Sequence, residues 1–240
     1  HKYYVYCNAD RNWPVNNKSV NSISISEGKG YGMLITVLMA GYDPQAQIIF
    51  DGMVAYFKAH PSNINPHLMA WDQTSDSVIN THNSDDATDG DLDIAYALLM
   101  ADRQWGSGGR YNYKKEAIAV IDALMKTNVS ATAHLMLMGD WTEQGEPYYN
   151  ATRPSDIMPT HFKAFAGATG DSAWLTVCNN SYRMLRYLQS RYSRASGLFP
   201  DFVKQDNRHP RPAGPYYMEK RKDGDYSYNA CRVPFRLTCD

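Results

Sequence analysis

Three separated groups of acidic residues stand out by their settings. Glu27 lies in SISEGKGYGM (24–33), between small residues and just ahead of an apolar run. Asp85, Asp86, Asp89, Asp91 and Asp93 crowd NSDDATDGDLD (83–93), and Glu219 sits in the tyrosine-rich PYYMEKRKDGDYSYN (215–229). Carboxyl groups held apart can divide acid and base work. One, kept protonated, gives its proton to a leaving oxygen; the other, ionised, takes a proton from water or attacks directly. The chain also has 18 Tyr and 5 Trp, many beside Asn, Asp or Arg, as in YYVYCNADRNW and EPYYN. Rings in such company suit a wet groove for a ligand with polar edges and flat apolar faces, and a sugar chain is one such ligand.

Each acid also has a plainer reading. Glu27 and the aspartates can compensate helix N-termini, and Glu219 can be simply solvated. A calcium loop opening at Asp85 fails, because Ala87 takes a ligand position and Tyr96 stands at the twelfth position, where Glu is needed. GKGYG has neither the context nor the full spacing of a dinucleotide loop, and no GxSxG or Ser-His-Asp order is present. The histidines form no metal motif, and Cys7, Cys178, Cys231 and Cys239 include no CxxC pair, so no metal or other cofactor is expected. The cysteines read as free or buried thiols, with a disulfide such as Cys7 to Cys178 left open. A net charge of -1 lacks the basic excess of a nucleic-acid binder, and no apolar run reaches about 18 residues, so no membrane span is expected.

The elements that must hold these residues read as helices in series. Helical patterns cover 31–42, 43–61, 90–106, 112–129, 153–170, 171–193 and 228–240, the last weakened by Pro234. Within 43–61, Asp43 is a candidate cap and Ile48, Ile49, Met53, Val54 and Phe57 form the apolar stripe. Asp171 is a candidate cap for 171–193. Residues 133–141 read as a short extended segment, and 62–89 and 194–227 as long connections. The glycines around Glu27 read as room for a ligand to approach the backbone. The expected fold is all-α, one domain over 1–240, with its loops forming the binding face.

SEGKGYGM, ATDGDLDIAYALLMADRQWG, TRPSDIM and YNACRVPFR, in that order from Ser26 to Arg236, together resemble glycoside hydrolase family 8. This is the family of endo-acting cellulases, lichenases, chitosanases and xylanases. The resemblance implies an (α/α)6 barrel, an inverting mechanism without metal or cofactor, a β-linked polysaccharide as partner and a secreted or extracytoplasmic location. It also implies a monomer if the barrel is complete. It puts the general acid on Glu27, a second active-site acid on Asp89, sugar-stacking rings on Trp71 and Trp141, and the cleft arginine on Arg232. Tyr31, Asp156, Tyr228 and Asn229, within or beside the motifs, are taken as substrate-binding.

One departure moves the base. Cellulase- and xylanase-type members carry it as Asp in YDxxR; here the place reads YNACR, and the amide of Asn229 cannot take a proton from water. The chain resembles instead the chitosanase, lichenase and glucanase subgroup, in which a loop glutamate is the base, and the matching residue is Glu219. Asp156 in RPSDIMP agrees with that subgroup. A second departure is length: six helical hairpins need about twelve helices, so the closing helices, and the first as well, are expected to lie outside these 240 residues. The expected reaction is inverting endo-hydrolysis of β-1,4-linked glucan, cellulose or lichenan ahead of chitosan and xylan last, with the two carboxyl groups roughly 6.5–9.5 Å apart. The alternative is a catalytically impaired carbohydrate-binding protein on a partial barrel.

Overall fold

The computed structural model describes residues 1–7, 22–73, 85–206 and 209–240. Among these are seven α-helices: α1 (Ser26–Leu38), α2 (Ala46–Ala59), α3 (Thr88–Trp105), α4 (Tyr113–Thr127), α5 (Pro159–Thr169), α6 (Ala173–Tyr192) and α7 (Val233–Thr238). Five short strands accompany them: β1 (Ser24–Ile25), β2 (Asp72–Gln73), β3 (Ala151–Thr152), β4 (Val203–Asp206) and β5 (His209–Pro212). The chain divides into two compact units, His1–Thr127 with Gly139–Trp141, and Asn128–Met138 with Thr142–Asp240.

In the first unit, α1 starts at Ser26, ahead of the apolar run that marks it in the sequence. The cause is tertiary. Strands β1 and β2 pair antiparallel, Ser24 with Gln73 and Ile25 with Asp72, and the Ser26 N–H donates to the Trp71 carbonyl at 2.8 Å. These bonds turn the chain into the helix, so Glu27 falls in the first turn. On α2 the apolar stripe is rotated from the expected one. Phe50, Met53, Val54 and Phe57 are buried at helical spacing, whereas Ile48 is exposed. Asp43 acts just before the helix, accepting the Gln45 N–H at 2.8 Å. Ile35, Leu38, Met39 and Tyr42, at the end of α1 and in the turn after it, are exposed.

Helix α1 lies closely against α3, and the glycines explain how. A Cβ on Gly30 would stand 2.6 Å from the Asp93 Cβ, and one on Gly90 would stand 2.4 Å from the Ser26 Oγ. A Cβ on Gly32 would meet Val5 at 2.5 Å. Gly30 and Gly32 therefore serve backbone packing, which corrects the expectation that they open the backbone to a ligand. Gly90→Ala is expected to cost about 1–3 kcal/mol through overpacking. Thermal melts should show the loss, and Gly41→Ala, with nothing within 4 Å of its added Cβ, is the control.

The N-terminal segment is tied to the same helices. The Tyr3 N–H donates to the Gly52 carbonyl at 2.9 Å, and the Lys29 Nζ donates to the Tyr3 carbonyl at 2.6 Å. Lys29 is fully buried, with its Nζ 4.3 Å from the centre of the Tyr56 ring. Burial lowers its pKa to about 7, while the carbonyl and the ring face favour the ammonium form.

The second unit centres on α5 and α6, where Phe162 stacks on Trp174 at 5.8 Å and Phe165 meets it edge-on at 5.0 Å. Ser172, not the expected Asp171, is the N-cap of α6, and Asp171 acts one residue earlier by accepting the Ala173 N–H at 2.9 Å. Strands β3, β4 and β5 form an antiparallel sheet in that order, part of it within the segment read as a long connection. Pro210 and Pro212 concealed β5. A proline lacks the ladder N–H, and here both stand on an edge strand, where that loss is tolerated. Residues 133–141 are not one extended segment. His134 has a φ of 48°, Val129 bridges to Met136, and Gly139–Trp141 belong to the first unit. Pro234 lies in the first turn of α7, which has no use for its missing N–H.

Candidate active site

The first unit gathers Glu27, Tyr31, Trp71, Asp89 and Trp141. Glu27 is half-buried in the first turn of α1, and Tyr31 follows one turn later on the same side. Ser26 touches Gly90, so the neighbours of that contact, Glu27 and Asp89, stand in adjoining first turns of α1 and α3. Asp89 is buried, and its Oδ1 accepts the Gly90 N–H at 3.1 Å. Trp71 is set from both sides: its carbonyl takes the Ser26 N–H, and its N–H donates to the Asp85 carbonyl at 2.9 Å. The Trp141 indole lies over Gly139, where a Cβ would come within 2.4 Å of its Nε1. Both tryptophans are half-buried.

Beneath these residues the other acids form a brace. The Asp86 N–H donates to the Asp140 Oδ1 at 3.0 Å, and the Asp140 N–H returns a short bond to the Asp86 Oδ1. Ser62 Oγ donates to the Asp140 Oδ2 at 2.6 Å. Both oxygens of Asp91 face the Met69 N–H, at 3.0 and 3.2 Å, and the Asp86 side chain lies close by. Burial, with the charges of Asp140 and Asp89, pushes Asp91 well above the usual carboxylate range. Burial likewise raises Asp85, with a further push from Asp140.

The brace ties the segments bearing Trp71 and Trp141 to the start of α3. The N-cap residue of that helix, Ala87, has no capping side chain, and Asp89 and Asp91 stand in the first turn, where acids favour a helix N-terminus. Among the described residues no group of His, Cys, Asp and Glu is arranged to hold a metal ion, and all four cysteines are free thiols.

The second unit gathers Ser155, Asp156, Glu219, Tyr228, Asn229 and Arg232. Glu219 and Tyr228 are exposed, and the Lys220 Nζ stands 5.3 Å from the centre of the Tyr228 ring. The Asn229 Nδ2 donates to the Glu219 Oε2 at 3.4 Å. Its Oδ1 accepts from the Arg232 Nη2 at 3.1 Å, and the same nitrogen donates to Ser155 Oγ at 3.1 Å. The arginine therefore fixes which end of the amide faces Glu219.

Asn229 and Asp156, expected among the substrate contacts, are 4 % and 0 % exposed. Asn229 steadies Glu219 from behind. Asp156 accepts from Ser155 Oγ at 3.4 Å and stands 3.8 Å from the Arg153 Nε. Arg236, at the end of the YNACRVPFR motif, is buried with its guanidinium 5.5 Å from the Phe235 ring centre. Sequence reasoning passed over Ser62, Asp140, Asp201 and Asp223. For the three aspartates the signal was an Asp recurring in loops that also carry candidate residues, as in GDW and KDGDY. Asp201, for one, holds the turn around Asn229 by accepting the Ser227 and Ala230 N–H groups at 3.1 and 2.7 Å.

Helices that carry acids in their first turns, with indole and phenol rings alongside, have the make-up of a helical carbohydrate-active scaffold. The family described as "Glycosyl hydrolases family 8" matches residues 13–239, and the chain belongs to that family. It is 48 % identical over 220 residues to a protein named Beta-glucanase from Niallia circulans, covering 92 % of this chain and 53 % of that protein. It is 45 % identical to an Endoglucanase of Bacillus sp. strain KSM-330, covering 91 % of this chain and 46 % of that protein. The solved apo structure of a β-1,3-1,4-glucanase from Paenibacillus sp. X4 superposes with a TM-score of 0.91 at 46 % identity, over 100 % of this chain and 60 % of that one. The chain thus shares the mostly helical fold of the family, and it spans about half the length of the curated relatives it matches.

Proposed function

We propose that this chain carries the active-site residues of an endo-acting, inverting hydrolase of β-1,4-linked glucan, with mixed-linkage β-1,3-1,4-glucan ahead of cellulose and chitosan. The observation that carries the proposal is the contact of Ser26 with Gly90, which packs together the first turns of α1 and α3, the turns that carry Glu27 and Asp89. Glu27 gives its proton to the glycosidic oxygen as the bond to the anomeric carbon breaks. Glu219 takes a proton from a water attacking the opposite face, so the new hemiacetal has inverted configuration. Asp89 hydrogen-bonds the sugar at the point of cleavage, Trp71 and Trp141 stack on sugar rings, and Tyr31 and Tyr228 line the path. Asn229 and Arg232 orient the base.

The single family match across both compact units favours one catalytic domain, and the helices are read as part of an (α/α)6 barrel. A polymeric substrate of this kind meets its enzyme outside the cytoplasm. Among the described residues, no helix is long and apolar enough to cross a membrane.

Release of reducing ends from barley mixed-linkage glucan, carboxymethyl cellulose, chitosan and xylan tests the proposal. The first two should be cleaved fastest and xylan slowest, and proton NMR of early products should show the α-anomer. Binding without new reducing ends would favour the carbohydrate-binding alternative, and unsaturated products would point to a lyase.

A further inference from the structure

The loop that carries Glu219 closes around a second carboxylate. Asp223 is 1 % exposed. Its Oδ2 accepts the Met218 N–H at 2.7 Å and the Glu219 N–H at 2.9 Å, while its Oδ1 accepts the Lys220 N–H at 2.8 Å. Three consecutive N–H groups on one anion make a nest of the kind that elsewhere receives a ligand. Here the chain supplies the anion itself, and each bond is strengthened by the charge.

Asp223 is in turn anchored to the interior of its unit. Its carbonyl accepts the N–H of fully buried Phe202 at 2.8 Å. At the next residue, a Cβ on Gly224 would stand 2.1 Å from the Ala213 carbonyl oxygen, so the chain passes there only without a side chain. At the other end of the loop the Tyr216 N–H donates to the Lys220 carbonyl at 2.9 Å, with Tyr216 at a φ of 56°, which a non-glycine residue rarely adopts. The backbone of Glu219 is thereby held while its side chain stays exposed and reaches Asn229.

We infer that Asp223 is a positioning residue for Glu219: it fixes the backbone at 218–220, and so sets where the carboxylate meets the attacking water. The inference rests on the reading of Glu219 as the base. An amide replaces Asp223 only in part, because its single oxygen can keep the Met218 and Glu219 bonds but its NH2 then faces the Lys220 N–H.

The test compares Asp223→Asn, Asp223→Ala, Glu219→Ala and the Asp223→Ala, Glu219→Ala pair, by kcat and KM on mixed-linkage glucan, with melts to confirm folding. Asp223→Ala should lower kcat by about 10²-fold, the cost of roughly an ångström of misplacement, with KM little changed and Asp223→Asn in between. The pair should be no slower than Glu219→Ala alone, since Asp223 acts only through Glu219. Additive losses, or a folded Asp223→Ala with full kcat beside an inactive Glu219→Ala, would overturn the inference. If Asp223→Ala does not fold, Asp223→Asn is carried through the same cycle with the same two outcomes. An active Glu219→Ala would instead refute the choice of base.

Discussion

Replacing Glu27 with glutamine is expected to slow hydrolysis of mixed-linkage β-glucan by about 10²- to 10⁴-fold, the usual worth of a positioned general acid. Glutamine keeps the shape of the side chain and can still donate a hydrogen bond, but it has no acid proton to transfer. KM should change little, and so should the melting temperature, because Glu27 is half-buried in a first turn and not part of the packed core. The leaving group separates this role from simple binding. An aryl β-glycoside with a dinitrophenolate leaving group needs almost no protonation, so its hydrolysis should fall far less than that of the polysaccharide. Equal losses on the two substrates would mean that Glu27 does not protonate the leaving oxygen.

Glu219→Ala is expected to cost about as much, on the order of 10²- to 10⁴-fold, but with the opposite dependence on substrate. The base acts on the attacking water, so the aryl glycoside and the glucan should lose alike. Removing the side chain also leaves room on that face for a small anion. Azide should then restore turnover of the aryl glycoside and give the α-glycosyl azide, because attack still comes from the face opposite the leaving group. A β-azide, or no effect of azide together with near-normal hydrolysis, would take the base assignment away from Glu219. Stability should not suffer, since the side chain is exposed and its loop is held by Asp223.

The two residues differ in how far they could be read from the chain alone. Glu27 is legible as an acid just ahead of a helical run, but its place in the first turn of α1 comes from the pairing of β1 with β2 and the Ser26 bond to Trp71. The role of its glycines was not legible. Spacing shows that they are small, and only the contacts of Gly30 with Asp93 and of Gly32 with Val5 show that they are small for the sake of neighbours within the fold. On α2 the apolar residues were legible and the buried face was not, because Ile48 and Phe50 both fit a stripe and the packing chose Phe50. Strand β5 was hidden by its two prolines, whose cost depends on which side of the sheet they occupy.

The sequence by itself determined the helices, the acids available for chemistry and, through long matched motifs, the family. It also showed that Asn229 cannot be a base, since that follows from the chemistry of an amide. The tertiary structure decided where each acid sits and what it touches. Asp89, Asp91 and Asp93 share one helix and one composition. Yet one accepts the Gly90 N–H, one is fully buried against the Met69 N–H, and one packs against Gly30. Asp223 and Glu219 lie in the same loop, one turned inward to hold three N–H groups and the other outward. Local sequence sets propensity and charge, but burial and hydrogen-bond partners come from residues far apart in the chain, and those are what give neighbouring acids different surroundings.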